Sequence, residues 1–131
     1  GFLGNVAASR VVVRFGALNT GAFFLLSMLT GTLVWVATAG ILVPMIAGVA
    51  IWGLGFAAFN SMQQARLVAA APVLASASVS LNTSSIYVGH AVGSGLGADL
   101  FVRDLLLSMG YVSAGFLLLA FAVLLLSRKL A

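Results

Sequence analysis

Charged residues divide this chain into long apolar runs. They stand at Arg10, Arg14, Arg66, Asp99, Arg103, Asp104, Arg128 and Lys129, and 15–65, 67–98 and 105–127 are free of formal charge. A helix needs about 20 residues to cross the hydrocarbon core of a bilayer. The first run has room for two crossings and each of the others for one. The pattern predicts four spans, at 17–37, 41–63, 77–99 and 106–127. Residues 1–9 (GFLGNVAAS) read as the end of a preceding helix, and 10–16 as a short basic loop. Thr38 to Gly40 is a tight connection. Pro44 falls in the first turn of the second span, where a missing N–H is harmless. Asn60, Gln63, Gln64 and Arg66 mark its exit, and Pro72 is the expected break before the third.

Composition strengthens this pattern. The chain is 63% hydrophobic and 6% charged, against roughly 25% charged in soluble domains. The fold class expected is all-α: a polytopic membrane bundle of four full helices plus the end of an earlier one, forming a single partial bundle over 1–131. Gly1 opens in the middle of an apolar run, so the sequence reads as a piece of a longer chain. The partner implied is the lipid bilayer. The net charge of +4 comes from scattered cations without interleaved aromatics, which points away from nucleic acid.

The charges also sort by side. With the 10–16 loop in the cytoplasm, the 64–72 loop and the C-terminus share that side. Arg10, Arg14, Arg66, Arg128 and Lys129 then stand together with no anion, and Asp99, Arg103 and Asp104 stand opposite. This obeys the positive-inside rule. Arg10, Arg14, Gly16 and Arg66 are therefore assigned to the cytoplasmic loops as topology determinants.

The third span, SLNTSSIYVGHAVGSGLGA over 80–98, is the polar one. Gly89, Gly93 and Gly97 recur every fourth residue, a spacing that lets another helix approach closely in lipid. Asn82, Thr83, Tyr87 and His90 add hydrogen-bonding groups that are costly against lipid. Each has two readings, as the lining of a substrate path or as a link between helices. For His90 the first reading includes taking a proton, since histidine titrates near neutral pH. In the second span, Trp52 and Asn60 are further candidates for the path, while Gly53 and Gly55 suit packing or bending. One histidine and two aspartates offer no metal site. His90 and Ser94 stand four apart, but no third group orients the histidine, so no enzyme is expected. No cofactor is implied.

Several stretches together resemble a known family. They are the glycine-rich start, the basic loop closing on Arg14-Phe15-Gly16, Trp52-Gly-Leu-Gly-Phe56 leading to Gln63-Gln-Ala-Arg66, Ala71-Pro72, and Ser80-Leu-Asn-Thr-Ser84 followed by Gly89-His-Ala-Val-Gly93 and Gly97. The order is similar to the C-terminal half of a major facilitator superfamily transporter, in the branch of bacterial drug:proton antiporters and arabinose-efflux-type permeases. The resemblance implies the last helices of a twelve-helix protein of the bacterial inner membrane. It further implies efflux of small amphipathic compounds or sugars as substrate, protons as the coupling ion, and an N-terminal half lying outside this sequence. The sequence departs from the family pattern at Val12 and Val13, where an acidic residue usually precedes the loop's arginine, and at Ala98-Asp99, where the branch has a second glycine. The alternative is a complete small four-helix membrane protein, acting as an assembly partner or a dimeric exporter.

Overall fold

The computed structural model describes residues 10–12 and 14–130, with side chains described to Ser127. The expectation for 1–9 lies outside the described residues. Four long helices follow one another: α1 (Ala17–Ala37), α2 (Leu42–Ala70), α3 (Ala75–Val102) and α4 (Leu106–Leu130), with a single 3₁₀ turn at Pro72–Leu74. No strand occurs among the described residues.

The connections explain the boundaries. Residues 10–12 and 14–15 are helical, so the basic loop expected over 10–16 is reduced to a break at Gly16. Its φ of 78° lies in the left-handed region that glycine adopts without steric cost. Gly40 turns the chain between α1 and α2 in the same way, with φ of 93°. The loop expected over 64–72 is also mostly helix, because Ala65, Ala69 and Ala70 favour it and only Pro72 interrupts it. α3 ends in a Schellman arrangement: the Leu105 N–H donates to the Leu100 carbonyl at 2.9 Å and the Asp104 N–H to Phe101 at 3.0 Å. Asp104 supplies the left-handed residue, at φ 57°.

The helices alternate in direction and close a ring in which α1 touches α2 and α4, and α3 touches α2 and α4. Among the described residues the backbones of α1 and α3, and of α2 and α4, do not come close. α1 is the hub. Its buried residues Thr20, Gly21, Phe24, Leu25, Met28, Gly31 and Thr32 form one stripe. Phe24 packs with Ala58 and Met62 of α2, and Leu25 and Met28 pack with Leu117 and Leu124 of α4. Buried Thr20 and Thr32 return their hydroxyls to the carbonyls of Gly16 and Met28, at 2.7 and 3.0 Å.

Close backbone approach occurs between α1 and α2. A methyl added to Gly31 would lie 2.5 Å from the Gly48 carbonyl oxygen, and one added to Gly55 would lie 2.8 Å from the Phe24 carbonyl oxygen. Ser27 Oγ donates across this contact to the Ile51 carbonyl at 3.3 Å. No other described helix packs tightly on Gly89, Gly93 and Gly97, the stripe expected to admit one. A Cβ on Gly89 or Gly93 meets nothing within 4 Å, and one on Gly97 meets only the tip of Met109. Gly53 is equally open, whereas Gly55 is tightly packed.

α1, α2 and α4 are long and apolar enough to cross a membrane. The sequence pattern predicted four such spans. α3, with 28 residues, is about 42 Å long and has the length, but its serines, Asn82, Thr83 and His90 dilute its apolar character. By length and composition, the three apolar helices are consistent with a helical multi-pass membrane protein.

Candidate functional site

α3 is the helix with chemistry on it, and it is also the least enclosed. None of its residues is buried, whereas α1 buries seven. Its side chains fall on three faces.

The first face meets α2. Asn82 Nδ2 donates to Asn60 Oδ1 at 3.2 Å, a side-chain hydrogen bond between the two helices. Further along, the His90 ring lies 6.4 Å from the Phe56 ring, centroid to centroid. Phe56 in turn stacks on Trp52, at 5.2 Å with the planes 6° apart. Trp52, Phe56 and His90 therefore form a row of rings across the α2–α3 contact, extended by Tyr87, whose ring stands edge-on to His90 at 6.3 Å.

The second face carries the glycines. Ser85, Gly89, Gly93 and Gly97 line a cleft of about 700 Å³ whose other walls are Met28, Trp52 and the Met109–Leu117 stretch of α4. The glycines thus leave room instead of drawing α4 in. Trp52 is the one polar-path candidate that borders this cleft; Asn60, Asn82, Thr83, Tyr87 and His90 do not.

The third face is exposed and turns away from the other described helices, except at its edge, where the His90 ring also reaches Phe56 of α2. Ser76, Ser80, Thr83, Tyr87, His90 and Ser94 succeed one another at alternating intervals of four and three and are all exposed. That spacing keeps side chains on one side of a helix. Thr83 satisfies its hydroxyl on its own helix, at the Val79 carbonyl, 3.0 Å away. Tyr87 is 68% exposed. Sequence reasoning picked out Thr83, Tyr87 and His90 but missed Ser76 and Ser80, and treated Ser94 only as a neighbour of His90. The four-three spacing of polar residues was the available signal.

At the end of the molecule formed by Gly16, Ala70 and Ser127, Arg66 is half-buried and its Nη1 donates to Gln63 Oε1 at 2.8 Å. Arg10 and Arg14 are exposed, and the Arg14 guanidinium lies 5.7 Å from the centre of the Phe15 ring. At the opposite end, Arg103 pairs with Asp99 at 2.9 Å on the surface. No group of three metal-ligating residues comes together among the described residues. Comparison with known proteins gives no match: no family model, no curated protein and no solved structure aligns with this chain.

Proposed function

We propose that this chain forms part of the C-terminal bundle of a secondary active transporter of the major facilitator type, in a bacterial inner membrane. It would move small amphipathic compounds or sugars outward in exchange for protons. The observation that carries this reading is the outward polar face of α3. Ser76, Ser80, Thr83, Tyr87, His90 and Ser94 are exposed along a helix flanked by apolar membrane segments. Polar groups in a bilayer face a protein partner or a watery cavity. On this reading α3 is the fourth span, and its polar face borders a substrate path near the midplane between two bundles that rock about it. Tyr87 and His90 contact substrate or a proton, and Asn60–Asn82 holds that wall against α2. The cations of the 10–16 segment, Arg66 and the C-terminus face the cytoplasm. The remaining spans, including most of the proton-coupling machinery, would belong to the N-terminal half.

The test is proton-driven efflux by the intact native protein in inverted membrane vesicles, with wild-type, His90→Asn and Tyr87→Phe forms. Reduced transport with an altered pH profile in His90→Asn is the expected result. Unchanged transport and pH dependence in both variants would overturn the role given to this face. The same exposed face also fits the alternative of a small four-helix protein that associates through α3. An intact mass near 13.4 kDa for the native chain in its membrane would favour it, and a mass about three times larger fits a twelve-helix transporter.

A further inference from the structure

A second open space, larger than the cleft beside α3, lies away from that helix. It is a cleft of about 850 Å³ between α1, α2 and α4, at the end where Gly16, Ala70 and Ser127 meet. Its walls are of two kinds. Toward the middle of the helices they are apolar, with Leu18, Phe59, Leu67, Ala120 and Leu124. At the rim they are polar, with Asn19, Gln63, Arg66 and Ser127.

Arg66 is central to that rim. Gln63 holds its guanidinium from one side, and no carboxylate pairs with it among the described residues. The charge around it is one-sided. Arg10 and Arg14 precede α1 at this end, and Arg128 and Lys129 stand in the last turn of α4, while both aspartates of the chain lie at the far end. A half-buried guanidinium without an anion, over a slot too apolar for a soluble anion to fill, matches one molecule in both parts.

We infer that this cleft binds an anionic phospholipid. The phosphate accepts hydrogen bonds from Arg66, and an acyl chain runs along the wall between α2 and α4. Basic pockets between membrane helices recognise such headgroups by this combination, and a guanidinium suits a phosphate because it can donate two parallel hydrogen bonds. The positive-inside rule turns this end toward the cytoplasmic leaflet, where anionic lipids face it. The inference rests on the chain crossing a membrane and not on transport, so the two proposals stand or fall separately.

The experiment is native mass spectrometry of the full chain, released from mixed micelles containing phosphatidylglycerol or phosphatidylcholine. Wild type should retain phosphatidylglycerol in preference to phosphatidylcholine. Arg66→Gln should weaken phosphatidylglycerol retention about fivefold or more, while Arg66→Lys keeps most of it. Arg103→Gln, at the other end, should leave it unchanged. Ala120→Phe fills the apolar slot without touching the charge and should also reduce retention, which keeps the test decisive if Arg66→Gln does not fold. Equal retention of the two lipids by wild type would overturn the inference, as would equal losses in the Arg66→Gln and Arg103→Gln variants. Displacement of the lipid by glycerol phosphate alone would show a site for a free anion and would overturn it too.

Discussion

Replacing Gly31 with alanine tests the packing on which this architecture rests. The added methyl would stand 2.5 Å from the Gly48 carbonyl oxygen and 2.7 Å from the Trp52 nitrogen, where ordinary contact begins at 3.4 Å. Both obstacles are backbone atoms, so no side chain can rotate away. Relief requires α1 and α2 to separate by about 1 Å. Overpacking of this kind costs about 1–3 kcal/mol. The Ser27–Ile51 hydrogen bond, already 3.3 Å long, breaks as well, and such a bond between membrane helices contributes about 0.6 kcal/mol on average. The control is Gly53→Ala on α2, where the methyl meets nothing within 4 Å. Alanine's better helix propensity, about 1 kcal/mol over glycine, applies at both sites and cancels in the comparison. Gly31→Ala should therefore be about 1.5–3.5 kcal/mol less stable than Gly53→Ala. The assay is denaturation of the full chain in mixed micelles, followed by tryptophan fluorescence. The chain has two tryptophans, Trp35 and Trp52, and both lie at the α1–α2 contact. Equal midpoints for the two variants would refute the close approach.

Three further outcomes follow from the geometry and are measurable in the same denaturation assay. Asn82→Ala removes the hydrogen bond between α2 and α3 and leaves Asn60 without that partner, so it should cost about 0.5–1.5 kcal/mol. Asp104→Gly relieves a left-handed residue at the end of α3 and should stabilise the chain by up to about 1 kcal/mol; a loss would show that the aspartate side chain supports the turn. Thr83→Val deletes a hydroxyl that bonds only to its own helix, so stability should change by less than about 0.5 kcal/mol. If the outward face of α3 borders the substrate path, the same variant lowers efflux in inverted vesicles, and an unchanged rate would remove Thr83 from it.

What the sequence made legible here was the placement of helices. Charge positions and the length of apolar runs depend on how much chain a bilayer can hold, and both are local properties. The extension of α2 to Ala70 was missed because polar residues at 60–66 look like an exit, although alanines after them continue a helix readily. The packing was harder to read. In a membrane helix the lipid-facing side is as apolar as the buried side, so hydrophobic periodicity no longer marks the core. No other described helix closes on the stripe of Gly89, Gly93 and Gly97, since such a stripe permits close approach without enforcing it. The contact formed where a glycine on one helix meets the other helix, at Gly31 against Gly48 and at Gly55 against Phe24 and Met28, and that match is invisible along either helix alone. Polar residues on α3 were recognised individually, but only the three-dimensional arrangement separates Asn82 and His90, which meet α2, from the outward Thr83 and Tyr87.

On the proposed function, the outward polar face of α3 borders water inside the membrane. The chain has no native cysteine, so single cysteines report cleanly. The decisive measurement is labelling of Ser80→Cys, Thr83→Cys, Ser94→Cys, Val88→Cys and Val92→Cys in the native membrane with a water-soluble thiol reagent. Labelling is expected at 80, 83 and 94 and protection at 88 and 92, which line the apolar cleft on the other side of the helix. Uniform protection, or labelling that ignores the helical spacing, would contradict it.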